Sequence, residues 1–203
     1  MNLTPADEAR ITAAIRAAEQ KTSGEIFCVM AAASSNYRFV PIARAAVIAL
    51  AVPLPLFYFT SLWAEEIYFV QLAVFAACAA LFSLPGLRHA LVPRWIKRDR
   101  ASAEAKRQFA ARGLHLTEAR TGVLIFASLA ERYVEIVADA GINAKVAPEV
   151  WDQAVQAMLA KMKEGKPVEG FLEAIRICGE VLAKHFPPGA MAEEELANKL
   201  VLM

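Results

Sequence analysis

The chain has 203 residues, of which 57% are hydrophobic and 21% charged, with a formal net charge of +1. This composition excludes a disordered chain and a strongly basic nucleic-acid binder. The apolar excess over an average globular domain is concentrated in one place: between residues 45 and 87 the only charged side chains are Glu65 and Glu66.

A helix is predicted at the N-terminal end. Thr4 supplies its cap, Pro5 its first position, and Asp7 and Glu8 complement the amide dipoles of its first turn. Ile11 and Ile15, with Ala14 and Ala18, form a narrow apolar stripe, and Thr22-Ser23-Gly24 ends the helix. Residues 25–32 (EIFCVMAA) read as a strand. One helix and one strand cannot build a core by themselves.

The charge-poor block comes next. Crossing a hydrocarbon core of about 30 Å takes roughly 20 apolar residues, and the uncharged runs at residues 45–64 and 67–87 both reach that length. Pro53 and Pro55 predict a kink that a membrane helix tolerates when its freed carbonyls find other partners. Tyr58, Trp63 and Tyr68 cluster at the Glu65–Glu66 junction, where amphipathic rings favour the lipid–water boundary. Burial as a hairpin inside a soluble core is disfavoured, because the rest of the chain is too small to wrap two helices apolar on all faces. A signal peptide is disfavoured too, since the block begins beyond residue 40, behind a polar helix. Arg38 and Arg44 precede the block and Arg88, Arg94, Lys97, Arg98 and Arg100 come after it, while the tip has no positive charge. Both ends are therefore expected in the cytoplasm. Trp95 and Ile96 interleave with these basic residues as in a nucleic-acid patch, but the juxtamembrane position accounts for the charge.

Beyond the block, residues 100–112 read as a helix stopped by Gly113. Residues 122–129 (GVLIFASL) and 133–139 (YVEIVAD) are β-branched, aromatic runs joined by Ala130-Glu131-Arg132, which predicts an antiparallel hairpin. The first run is apolar nearly throughout, as in a central strand with helices above and below. Pro148 opens a helix with Trp151, Ala154 and Met158 on its apolar face, and Gly165 lies just past its end. A last helix after Pro167 buries Phe171, Ile175, Cys178 and Leu182 before Phe186-Pro187-Pro188. Residues 190–203, which include Glu193, Glu194 and Glu195, read as a flexible tail. The economical architecture is one α/β domain, residues 1–42 and 88–189, interrupted by a transmembrane helical hairpin at residues 43–87.

Three motifs then carry a family likeness: Thr22-Ser23-Gly24-Glu25-Ile26, Arg120-Thr121-Gly122-Val123-Leu124-Ile125, and the run from Glu131-Arg132-Tyr133 through Asp139-Ala140-Gly141-Ile142. With Gly170-Phe171-Leu172 in the last helix, the chain resembles the TPM-domain family, in its bacterial branch of predicted membrane proteins with an inserted hairpin. The resemblance implies an α/β/α sandwich in the bacterial inner membrane. Its functional implications diverge: some members resemble acid phosphatases, some assist other membrane proteins, and some bind calcium. Shared fold does not transfer activity.

The candidate chemistry is sparse. Asp139 ends the third strand, and Glu149 and Asp152 stand at the start of the next helix, so the three carboxylates are an oxygen-rich candidate set for a divalent cation such as calcium. The alternative is that Asp139 ends a strand while Glu149 and Asp152 offset a helix dipole. His115 and Glu118 form a second, weaker candidate, and Arg120, Glu131 and Arg132 read as solvated charges. His89, His115 and His185 are scattered, against a zinc site. Cys28, Cys78 and Cys178 read as small apolar packing residues, with no disulfide framework. Two functions remain open: a non-enzymatic module that binds or assembles other membrane proteins, with the lipid bilayer as its surroundings, or a metal-dependent phosphatase-like hydrolase using the Asp139 region.

Overall fold

The computed structural model describes residues 4–37, 39–84, 87, 90–117, 120–188 and 200–203. In chain order its elements are α1 (Pro5–Glu19), β1 (Glu25–Ala31), α2 (Phe39–Ala51), α3 (Pro53–Phe59), α4 (Ala64–Phe82), α5 (Arg94–Ala111), a 3-10 turn (Leu114–Leu116), β2 (Gly122–Ser128), β3 (Tyr133–Ala138), α6 (Ala140–Asn143), α7 (Val150–Lys163), α8 (Pro167–His185) and β4 (Leu200–Leu202). They divide into two units, one of residues 1–34 with 98–203 and one of residues 35–97.

The first unit is an α/β/α sandwich. Its sheet has the order β3-β2-β1-β4. β1 pairs in parallel with β2, from Glu25 opposite Gly122 to Ala31 opposite Ser128, and β2 pairs antiparallel with β3. Side chains alternate across the sheet. Ile26, Cys28 and Met30 of β1 and Val123, Ile125 and Ala127 of β2 meet Ile11 and Ile15 of α1, Met158 of α7, and Phe171, Ile175 and Leu182 of α8. Phe27, Val29 and Ala31, with Leu124 and Phe126, meet Ala105 of α5 and Leu114 on the other face. Every residue of β2 is buried, as its unbroken apolar run predicts.

Local signals set the element ends. Thr4 and Asp7 form a reciprocal capping box on α1, with the Asp7 N–H donating to Thr4 Oγ1 at 3.2 Å and the Thr4 N–H donating to Asp7 Oδ2 at 3.1 Å. Gly113 lies just past α5 with φ at 70°, the left-handed region that glycine enters without strain. α1 and α8 approach so closely that a Cβ on Gly179 would stand 2.8 Å from Ala18 Cβ.

The tail needs correction. Residues 190–199, with Glu193, Glu194 and Glu195, lie outside the described residues, but the expectation of a flexible segment fails for residues 200–203. Leu200, Val201 and Leu202 pair in parallel with Cys28, Val29 and Met30. The Ala32 N–H donates to Met203 O at 2.7 Å and the Met203 N–H to Met30 O at 3.0 Å. Nearer the start of β1, Glu19 Oε1 accepts the Ile26 N–H at 2.8 Å. The edge of β1 is thus satisfied by a short strand and one carboxylate, which removes a template for stray strand addition.

The second unit is a helical hairpin. Phe39–Phe59 runs through α2 and α3 with a mean hydropathy of 2.0, and Ala64–Phe82 has 1.6; both are long and apolar enough to cross a membrane. They start and end earlier than the uncharged runs, and α2 takes in Arg44, whose long basic side chain can reach out of an apolar segment. The helix is interrupted at Val52, between α2 and Pro53 of α3, although the Val52 dihedrals remain helical. α2 packs on α4 and buries Pro41, Ala45 and Ala49. The helix ends satisfy themselves. Thr60 Oγ1 donates to Leu56 O at 2.5 Å, Ser83 Oγ to Ala79 O at 2.6 Å, and the Trp63 N–H to Glu66 Oε2 at 2.9 Å.

Candidate functional site

Asp139 is only 6% exposed. It caps α6, where its Oδ1 accepts the Ala140 N–H at 2.7 Å, and its carbonyl accepts the N–H groups of Ile142 and Asn143 at 3.1 and 3.0 Å. Its Oδ2 is buried and has no hydrogen-bond partner among the described residues. Glu149 and Asp152 do not join it. Both are exposed, Glu149 just before α7 without a side-chain cap and Asp152 in its first turn. Among the described residues no group of three or more His, Cys, Asp or Glu could hold a metal ion. The trio Asp139, Glu149 and Asp152 is therefore not a ligand set: one carboxylate is committed to a cap, and the others sit at a helix start where a negative charge is favoured. His115 lies in the 3-10 turn, and Glu118 lies outside the described residues.

The topology also moves the expected ligand edge. Ligands of open α/β sheets gather at the carboxyl ends of the parallel strands. Because β3 runs antiparallel, its end at Asp139 lies beside the start of β2, with the Asp139 N–H donating to Gly122 O at 3.0 Å. At the opposite edge, where β1 and β2 both end, the structure assembles Ser34, Ser128 and Glu131. Glu131 Oε1 and Oε2 accept the Ser34 N–H at 3.2 and 3.1 Å, and Oε2 also accepts a short bond from the buried Ser128 hydroxyl. The turn is tight enough to hold Arg132 at φ 51°, a costly value outside glycine. Glu131 is thus a structural clamp between the two strand ends, not a solvated charge. The cue missed in the sequence is its place in a short hairpin turn, the four residues 129–132, next to the serine that ends β2.

A second polar group lines the α5 face of β3. Tyr133 donates its hydroxyl to Glu135 Oε2 at 3.0 Å, and Ser102 of α5 donates to Glu135 Oε1 at 3.2 Å. Burial first, then the charge of Glu135, pushes the Tyr133 phenol up to about 12. Tyr133 therefore acts as a donor, not an anion, at any physiological pH.

The threonines of the sequence motifs also find structural work. Thr22 Oγ1 donates to Phe186 O at 2.6 Å, Thr121 Oγ1 to Ser23 O at 3.1 Å, and the Thr121 N–H to Thr117 Oγ1 at 3.2 Å. These bonds sew the start of β1 to the start of β2 and to the end of α8. Cys28 and Cys178 are fully buried in the core between sheet and helices. Burial raises both thiols, Cys178 to about 12, so neither supplies a thiolate nucleophile.

Comparison with known proteins agrees with this geometry. Residues 87–181 match the family model of the TPM domain. That match begins after α4, while β1, which precedes the hairpin, belongs to the same sheet and α1 packs on it. Among solved structures, the chain is similar to the NMR structure of BA42 protein from the psychrophilic bacterium Bizionia argentinensis. The likeness has a TM-score of 0.62 and 22% identity, over 100% of this chain and 97% of that one, and at this identity it speaks to the fold alone. No curated protein sequence matches the chain.

Proposed function

We propose that this TPM-domain chain is an integral membrane protein whose α/β domain binds or helps to assemble other membrane proteins. The observation that carries the reading is the hairpin set into the middle of the domain's sequence. The hairpin exposes Phe57, Phe59, Trp63 and Phe69, a surface that lipid or another apolar helix must cover. The insertion lies between β1 and α5, so membrane attachment is covalently built into the sheet rather than appended to it. Arg44 on one side and Arg94, Lys97, Arg98 and Arg100 on the other favour a cytoplasmic domain at the bacterial inner membrane.

A metal-dependent phosphatase-like hydrolase is the second reading, supported by Asp139 Oδ2, a buried carboxylate oxygen without a partner among the described residues. Two measurements test these readings, the first the shared topology and the second the choice between them. Reporters fused after residues 38 and 110 should both register as cytoplasmic, and opposite sides would refute the split domain. Purified full-length protein should release no phosphate from an aryl phosphate with or without added divalent metal. Metal-stimulated release that Asp139→Ala abolishes would establish the hydrolase instead.

A further inference from the structure

α5 has two unlike halves. Its buried positions begin at Ala101 and continue with Glu104, Ala105 and Gln108, while none of residues 94–100 is buried. In these first two turns Arg94, Lys97 and Arg98 fall at i, i+3 and i+4, so they share one face of the helix. Trp95 beside them is 66% exposed, and Arg100 adds a further cation against the lone acid Asp99.

This arrangement opposes the helix's own electrostatics. The first turn carries no acidic residue, although a helix N-terminus favours negative charge, and cations at this spacing repel one another. An external anion on that face relieves both effects. Eleven residues, 83–93, separate the end of α4 at Phe82 from Arg94. Even fully extended they reach at most about 40 Å, so an anchored chain holds this face within reach of the membrane surface at a high effective concentration. Guanidinium groups that pair with phosphate oxygens, beside an indole suited to the lipid–water boundary, match the headgroup layer.

We propose that the first two turns of α5 lie in the headgroup layer and bind anionic phospholipid through Arg94, Lys97 and Arg98, with Trp95 seated at the boundary. The proposal rests on the membrane-anchored reading. Basic side chains near an anionic surface contribute about fivefold each in binding, hence about a hundredfold for three.

The test is hydrogen exchange of the amides at residues 94–100 in the full chain, reconstituted into nanodiscs of phosphatidylcholine alone or mixed with phosphatidylglycerol. The amides of α7 serve as the internal control. Exchange at 94–100 should slow by at least about tenfold with phosphatidylglycerol, with α7 unchanged. The protection should vanish in Arg94→Gln/Lys97→Gln/Arg98→Gln and, without any substitution, at raised salt. Equal exchange in the two discs overturns the proposal. So does protection that survives the triple substitution, or protection in phosphatidylcholine discs produced by inorganic phosphate alone. A chain that stays outside the discs overturns the membrane reading itself, an outcome distinct from an anchored chain with an unprotected α5.

Discussion

Gly179→Ala tests whether the N-terminal helix truly closes the core built after the hairpin. The new Cβ would stand 2.8 Å from Ala18 Cβ, against a comfortable carbon–carbon separation of about 3.5–4.0 Å. α1 and α8 must then part by several tenths of an ångström, and overpacking of this kind costs about 1–3 kcal/mol. Alanine regains about 1 kcal/mol over glycine in a helix interior, so the net loss is about 0–2 kcal/mol. Ala18→Gly alone loses about 1 kcal/mol of the same propensity. In the double variant the propensity terms cancel, and the Cβ at 179 faces Ala18 Cα at 3.6 Å, an ordinary contact. The double should therefore be close to wild type, with a favourable coupling of about 1–3 kcal/mol. At about 2–4 °C per kcal/mol, this separates the measured midpoint from the additive one by several degrees. The readout is maleimide labelling of the buried Cys28 and Cys178, the latter beside position 179, as temperature rises, in a Cys78→Ser background. Strict additivity of the two substitutions would refute the contact, and with it the claim that residues before the hairpin share a core with residues after it.

Three further perturbations probe the strand ends, the sheet edge and the buried protons. Glu131→Gln removes the charge from the acceptor of the Ser34 N–H and Ser128 hydroxyl, and should cost about 1–3 kcal/mol, seen as a lower thermal midpoint with unchanged membrane insertion. Removing residues 200–203 takes away the acceptor of the Ala32 N–H, so exchange at that amide should accelerate while the amides of β3 stay protected. Alkaline pH should destabilise the domain. The folded thiols of Cys28 and Cys178 and the phenol of Tyr133 are raised, the last two to about 12, above ordinary values of 9.0 for cysteine and 10.0 for tyrosine. The unfolded chain thus loses these protons first, and stability present below pH 9 falls as pH rises toward 12. A thermal midpoint flat across that window would contradict the burial.

Much of the fold is legible in the sequence because its signals are local. Thr4 and Pro5 mark the start of α1, the apolar run of β2 marks the central strand, and a charge gap marks the hairpin. β4 is not legible, since three residues, Leu200, Val201 and Leu202, are too few to show an alternation and are ordered only by pairing with β1. The start of α5 at Arg94 is hidden for another reason: basic residues in a first turn contradict the usual dipole pattern. The candidate site fares worst. Asp139 is correctly placed at a strand end, but which edge of the sheet that end occupies depends on strand direction, a property of the whole topology. Glu131 looks like a solvated turn charge until Ser34, nearly a hundred positions away in the chain, arrives beside it.

The parallel pairing of β1 with β2 also sets an order of events. Glu25 pairs with Gly122 and Ala31 with Ser128, so every residue of the hairpin is synthesised before β1 finds its neighbour. If the hairpin enters a bilayer, as proposed above, the first strand waits unpaired while the apolar helices partition. A hairpin that failed to return would leave β1 and β2 on opposite sides of the membrane, and no sheet could form. On the proposed topology the folded domain is a record of correct insertion, and a wrongly inserted chain would present an unfolded segment to proteolysis.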